Sequence, residues 1–107
     1  MNNMSMLIGR LVSDLQINET DNGRKACNIT LAVPRSYKNN EGIYETDFIP
    51  VVLYSGIAEK TAEYCKKGDL IAVKGSLQSE NFTADGYKII KLVAEKVSFL
   101  SSKPKEE

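Results

Sequence analysis

The sequence predicts an all-β fold, a five-stranded Greek-key barrel with one helix between the third and fourth strands. Three observations predict it: hydrophobic residues alternate with period two over most of the chain, turn signals divide the chain into short segments, and only residues 56–67 carry apolar residues at helical spacing. A chain of 107 residues accommodates one domain. We expect this domain to span residues 1–100, followed by a short flexible tail at residues 101–107.

The first two predicted strands form a hairpin. They span residues 4–17 and 25–36, and Asp21-Asn22-Gly23 between them favours a type I′ turn, because Asn and Gly tolerate positive φ angles. A polar segment follows from Ser36 to Glu45, and its composition predicts a mobile loop that projects from the sheet. Alternation in the second strand places four apolar side chains on its core face: Cys27, Ile29, Leu31 and Val33.

One helix and two strands follow the third strand. The helix is predicted over residues 56–67, with Ser55 as its N-cap and Gly68 as a left-handed terminator. The last two strands are predicted over residues 70–81 and 87–100. Three strands, a helix and two strands in this order are typical of the OB-fold, whose sheet face and loops commonly bind oligonucleotides or oligosaccharides.

The composition argues against an enzyme, a metal site and a membrane span. The chain has no His, which removes the commonest general base and zinc ligand, and Cys27 and Cys65 form neither a CxxC pair nor a disulfide framework. No phosphate-binding glycine motif occurs. No apolar run approaches the roughly 20 residues of a membrane helix. We therefore expect a cytoplasmic protein without catalytic residues, metal or cofactor.

The formal net charge is zero, with 14 Lys and Arg against 14 Asp and Glu. A neutral total argues mildly against a nucleic-acid partner, since phosphate binding usually leaves a basic footprint. Basic residues nevertheless interleave with aromatic ones along the chain, which is compatible with a local basic groove; an evenly mixed solvated surface is the alternative. The candidates for phosphate contact are Arg35, Lys38, Lys67, Lys74 and Lys88.

Aromatic side chains give the clearest indication of binding. Phe48 and Tyr54 lie six residues apart on the third predicted strand, residues 46–55, so they point to one face about 20 Å apart, while aliphatic residues occupy the other face. Tyr37 in the polar loop and Phe82 at the end of the fourth strand add further rings. Exposed rings of this kind stack the bases of single-stranded nucleic acid. Packing of Phe48 and Tyr54 under a loop or a partner subunit is the alternative.

The order and spacing of these segments resemble the bacterial single-stranded DNA-binding protein family. The resemblance covers residues 4–100 and is carried by MLIGRLVSDLQI, NITLAVPRSY, ETDFIPVVLYS, YCKKGD, LIAVKGSLQSENF and AEKVSFL. It implies an OB-fold homotetramer, with a dimer as the alternative, that binds single-stranded DNA without sequence preference in replication, recombination and repair. It also implies basic residues at Lys38 and Lys67 and base stacking at four positions: Tyr37, Phe48, Tyr54 and Phe82.

Three features depart from the family pattern. Residues 78–81 include Glu80 where the family usually has basic residues, which predicts reduced, steeply salt-dependent affinity, and none of the four stacking positions is Trp. The chain ends at SSKPKEE, where the family typically continues into a tail that recruits replication and repair enzymes, which argues against recruitment through such a tail. The alternative functions are an accessory protein in replication restart or recombination and an oligomerisation adaptor.

Overall fold

The computed structural model describes residues 1–82 and 86–101, with the backbone alone for Asn81, Phe82 and Tyr87. Most of the predicted tail therefore lies outside the described residues. The described chain forms six strands and one helix, in the order β1 (Ser5–Leu11), β2 (Asn18–Glu19), β3 (Lys25–Lys38), β4 (Tyr44–Tyr54), α1 (Ser55–Tyr64), β5 (Leu70–Phe82) and β6 (Tyr87–Ser101).

The strands close into a barrel. The sheet order is β1-β5-β6-β4-β3-β2, and a further pairing of β1 with β3 joins the two ends of the five long strands. β4 and β6 run parallel and pair only around Val51 and Val52, whereas the other described pairings are antiparallel. The predicted OB-fold is confirmed. The two-residue strand β2 was not predicted, and because of it the helix follows the fourth strand in chain order rather than the third.

The barrel core is built from the inward faces that the alternation predicted. Leu31 on β3 and Leu53 on β4 are fully buried, and burial of each such side chain contributes about 1.5 to 3 kcal/mol. Val33 and Ile49, near the ends of the same faces, are half-buried. The buried cluster draws on all five long strands and the helix: Leu11, Cys27, Ile29, Leu31, Val51, Leu53, Ala58, Ile71, Val73, Leu92 and Ala94.

The helix is shorter than predicted, and the prediction of Ser55 as its N-cap is wrong. Ser55 is the first helical residue, and its positive φ of 51° turns the chain sharply out of β4. The helix ends at Tyr64 because Cys65 is already extended, with φ −122°. Gly68 does adopt a left-handed φ of 92°, but it lies in the following turn, where its N–H donates to Leu11 O at 2.8 Å and ties the turn to β1.

Half of the segment predicted as a long loop, Ser36 to Glu45, is strand. β3 continues through a bulge to Lys38 and β4 begins at Tyr44, which leaves a five-residue turn. Asn39 organises this turn: its Oδ1 accepts the N–H groups of Glu41 at 2.9 Å and Ile43 at 3.0 Å. Gly42 supplies the left-handed residue, with φ 79°. The segment is therefore a hydrogen-bonded hairpin, which composition alone did not indicate.

Candidate nucleic-acid interface

A groove of about 250 Å³ lies between the outer face of β3 and β4 and the hairpin formed by β5 and β6. It opens because β4 and β6 separate beyond their short parallel pairing around Val51 and Val52. Small and polar side chains contributed by β3 form part of its floor. The side chains of the groove include Asn28, Thr30, Pro50, Glu80, Ile89 and Lys91.

Phe48 and Tyr54 lie on β4 on either side of the position of Pro50 in this groove. Cross-strand pairing places Ala32 opposite Phe48 and Ala26 opposite Tyr54. An alanine has no side chain long enough to cover a facing ring, so Phe48 remains 64% exposed. The strand alternation therefore correctly predicted that the side chain of Phe48 points outward. The small neighbouring side chain on β3 explains why the Phe48 ring is exposed.

Tyr54 is less accessible than Phe48. Arg24 immediately precedes β3, and its guanidinium Cζ lies 4.0 Å from the centroid of the Tyr54 ring. This is a cation–π contact. A base that stacks on this face of Tyr54 must displace Arg24 or be sandwiched with it. Arg24 was not predicted from the sequence, although the pairing of Ala26 with Tyr54 in the β3–β4 register would have revealed its proximity.

The predicted residues Tyr37 and Lys38 lie at the end of β3, and both are exposed. Lys38 Nζ is 5.7 Å from the ring centroid of Tyr44, the first residue of β4. Phe82 lies at the end of β5, and its side chain is outside the described part of the structure. The β3–β4 hairpin thus combines Tyr37 and Tyr44 with the cation of Lys38. Tyr44 was not among the predicted site residues, because the polar composition of its segment predicts a loop.

Arg35 is engaged by two carboxylates rather than free for a phosphate. Its Nη2 lies 2.9 Å from Asp47 Oδ1, its Nε donates to Asp47 Oδ2 at 3.1 Å, and its Nη1 lies 2.8 Å from Glu45 Oε2. The hydrogen bond from Arg35 lowers the pKa of the Asp47 carboxyl below its ordinary value. Any phosphate at Arg35 must therefore compete with both carboxylates, which the one-dimensional spacing of these residues did not reveal.

The other predicted cations are distributed over several surfaces. Lys67 is exposed just after α1, and its backbone N–H donates to Asp14 Oδ1 at 2.8 Å. Lys74 lines a separate cleft together with Met6 and Lys96, and Lys88 is exposed near the start of β6. Of the five predicted cations, Lys38 alone has a described contact with an exposed ring of the β3–β4 hairpin.

The wall of the groove carries an ion pair between Glu80 and Lys91. Glu80 departs from the family pattern and was expected to repel phosphate. Lys91, across the β5–β6 hairpin, offsets that charge, and its side chain is only 15% exposed. Lys91 was missed in the sequence because the pairing register of the hairpin was unknown.

The reactive chemistry available to the described residues is narrow. Burial raises the pKa of the Cys27 thiol, and burial together with Asp69 raises the pKa of Cys65 to about 11, so both thiols remain protonated and poorly nucleophilic at neutral pH. No group of three or more Cys, Asp and Glu in the described ranges is arranged to hold a metal ion. The same ranges contain no candidate membrane-spanning helix, and α1 has only ten residues.

Known proteins are similar in sequence to this chain over nearly the whole barrel. The profile described as "Single-strand binding protein family" matches residues 1–100. "Single-stranded DNA-binding protein B" of Bacillus subtilis is 38% identical over 108 residues, with 98% of this chain and 96% of that protein covered. "Single-stranded DNA-binding protein 2" of Clostridium acetobutylicum is 44% identical over 102 residues, with 92% and 76% covered. The chain belongs to the single-strand binding protein family.

Proposed function

We propose that this protein binds single-stranded DNA without sequence preference, by stacking bases on the outer face of β3 and β4. The observation that carries the proposal is the uncovered ring of Phe48, which stands over Ala32 beside an open groove. Every base has a π-face, so a ring of this kind binds all four bases alike. Membership of the family, whose named relatives are single-stranded DNA-binding proteins, supports the same function.

The proposal assigns two roles to the predicted residues. The stacking rings are Tyr37, Phe48, Tyr54 and Phe82. The phosphate contacts are Arg35, Lys38, Lys67, Lys74 and Lys88. Phe48, Tyr37 and Lys38 are exposed in the free protein, whereas Tyr54 and Arg35 first have to exchange their contacts with Arg24 and with Asp47 and Glu45.

We further propose a non-enzymatic, cytoplasmic role in replication, recombination and repair, carried out by a homotetramer. Exposed apolar side chains support self-association: Met6 and Ile8 lie on one face of β1, and Ile90 lies on β6. The described edge of β1 from Ser5 to Gly9 pairs with β5 on one side only, so its other side has backbone groups available to a second copy. No observation on the described residues favours the accessory or adaptor alternative.

Fluorescence anisotropy of a labelled oligo-dT tests the proposed function. At low salt we expect the protein to bind oligo-dT and a mixed-sequence single strand with similar affinity, and to bind a duplex of equal length more weakly. The complex should dissociate as salt rises, because phosphates released from Lys and Arg recover their counterions. Absence of binding to single strands at low salt, or equal affinity for the duplex, would contradict the proposal.

A further inference from the structure

We propose that Tyr44 is an additional base-stacking residue, which extends the single-strand path from Phe48 along the β3–β4 hairpin. Nothing in the family resemblance assigns this position. The inference rests on the proposed function, and it adds a ring and a direction to the path. It follows from three features of the hairpin: the face that Tyr44 shares, its neighbouring cation, and the turn that supports it.

Tyr44 shares the outer face of β4 with Phe48. The two residues are separated by four positions on one strand, an even number, which places their side chains on the same face about 13 Å apart. The bulge between Pro34 and Lys38 adds residues to β3 and leaves β4 uninterrupted, so the alternation along β4 holds. Tyr44 is 55% exposed. Its ring therefore continues the same surface rather than packing into the core.

A cation accompanies the Tyr44 ring. Lys38 is the cross-strand partner of Tyr44, and its Nζ lies 5.7 Å from the ring centroid. A base that stacks on this face of Tyr44 displaces the Lys38 ammonium from the ring, as a base on Tyr54 displaces Arg24, and the displaced ammonium is then within reach of the phosphate of that base. The neighbouring ring and cation are the two groups that single-strand binding needs, a π-surface and a charge for the backbone.

The turn holds Tyr44 in place before any ligand arrives. Asn39 N–H donates to Ile43 O at 2.8 Å, and Asn39 Oδ1 accepts from Ile43 N–H at 3.0 Å. Asn39 Nδ2 also donates to Glu45 Oε1 at 3.2 Å, so both neighbours of Tyr44 are bonded to Asn39. A ring held on an ordered backbone loses less conformational freedom on binding than one on an open loop.

Tyr64 provides a matched control, because it is an equally exposed tyrosine in a different setting. It is 61% exposed on α1, and its ring packs against Phe99 with centroids 5.8 Å apart. It lies outside the groove and outside the β3–β4 hairpin. Substitutions of Tyr64 therefore measure the effect of an exposed ring that does not lie on the proposed path.

Tryptophan fluorescence tests the proposal directly, since the chain contains no Trp. In Tyr44→Trp, Phe48→Trp and Tyr64→Trp, the introduced side chain is the single indole reporter. Saturation with oligo-dT should quench the indole of Tyr44→Trp and of Phe48→Trp and leave that of Tyr64→Trp nearly unchanged. Quenching of Phe48→Trp without quenching of Tyr44→Trp would overturn the assignment of Tyr44 and leave the proposed function standing.

Affinity measurements provide the second test. Tyr44→Ala should weaken binding of a long oligo-dT by about 5- to 150-fold, the range that corresponds to one stacked base, and Tyr44→Phe should retain wild-type affinity because it keeps the ring. Wild-type affinity in Tyr44→Ala with an unchanged melting temperature would overturn the inference. If the wild-type protein binds no single strand at low salt, the proposed function fails and the assignment of Tyr44 fails with it.

Discussion

Phe48 and Tyr54 share one face of β4 but differ in how readily a base reaches them. The contact between the exposed Arg24 and the half-buried Tyr54 is a cation–π pair, worth about 1 kcal/mol. Stacking of a base contributes about 1 to 3 kcal/mol. Because stacking is the stronger of the two interactions, we expect the base to move Arg24 aside at a modest cost. Tyr54 is therefore a weaker site than Phe48, although strand position alone makes them equivalent.

The ion pair between Arg35 and Asp47 leads to a prediction about DNA affinity. Asp47→Asn removes one of the two charged partners of Arg35, which frees Nε and Nη2 for a phosphate while Nη1 keeps its contact with Glu45. We expect tighter binding to oligo-dT at low salt and a salt dependence steeper by about 0.7 in log–log slope, the value for one further phosphate contact on a single strand. Anisotropy titrations over a salt series measure both quantities.

Glu59→Gln is the matched control for this change. It removes one negative charge as well, but Glu59 pairs with Lys25 on the helix side of the barrel at 2.8 Å. Both variants therefore gain the same net charge, and only Asp47→Asn releases a predicted phosphate contact. Equal affinity and equal salt slope in the two variants would remove Arg35 from the interface.

The ion pair between Arg35 and Asp47 also makes the stability of the fold depend on pH. In the folded protein, Arg35 lowers the pKa of Asp47 below its ordinary value of 3.8. The stabilisation of the fold by this ion pair is therefore fully present above pH 3.8, and it is lost as the pH falls through the lowered pKa of Asp47. We expect Asp47→Asn to unfold at a slightly lower urea concentration than the wild type near neutral pH, with a difference that disappears in acid. The difference should be small because solvent screens both groups. A constant difference at every pH would contradict this origin.

At the scale of the elements, the sequence predicted what depends on alternation and missed what depends on register. Periodicity correctly predicted that Leu31 faces inward and Phe48 outward, because side chains on a strand point alternately to its two faces. The pairing of Arg35 with Asp47 depends on how β3 aligns with β4, and a bulge shifts that alignment. The end of the helix was also missed, because the apolar spacing continues to Cys65, where the backbone is already extended, and the turn that follows is held to β1 by a tertiary hydrogen bond from Gly68.

Gly75 shows how β5 depends on a residue without a side chain. It lies at the register shift in the pairing of β5 with β6, and a Cβ added there would be 1.9 Å from Val93 O. The clash is with backbone, which cannot yield as a flexible side chain does. We expect Gly75→Ala to destabilise the fold by about 1 to 3 kcal/mol, measured by thermal unfolding.

Gly56→Ala is the control for this substitution. A Cβ at Gly56 meets no atom within 4 Å, and the residue lies in α1, where alanine is favoured over glycine by about 0.5 to 1 kcal/mol. We expect this variant to be as stable as the wild type or more so. A Gly75→Ala variant as stable as Gly56→Ala would show that β6 adjusts freely at the register shift.

At the scale of the whole molecule, several charges that sum to the zero net charge are paired locally. The total therefore says little about the charge of the proposed interface. Carboxylates pair with cations at Arg35, Lys91 and Lys25, while Lys38 contacts a ring. Long-range attraction of a polyanion should therefore be weak, and the binding energy should depend strongly on stacking. This division of roles reconciles a neutral chain with a nucleic-acid partner.

The proposed homotetramer leads to a prediction about the outer face of β1. Met6 and Ile8 are exposed side by side on that face. Carboxylates placed there would have to lose their hydration in an interface, so we expect the double variant Met6→Glu, Ile8→Glu to shift the mass in sedimentation equilibrium from tetramer towards smaller species. Ile43→Glu, at an exposed residue of the β3–β4 turn, should keep the wild-type mass. An unchanged mass in the double variant would exclude this face from the interface.

The salt dependence of binding in Phe48→Ala tests whether an exposed ring on β4 binds bases by stacking. Stacking releases no counterions, so the variant should bind oligo-dT more weakly by about 1 to 3 kcal/mol at every salt concentration, with the wild-type slope. Tyr64→Ala, which removes an exposed ring from the helix, should follow the wild-type line. A correctly folded Phe48→Ala protein that binds as tightly as the wild type across the series would rule out base stacking on this ring.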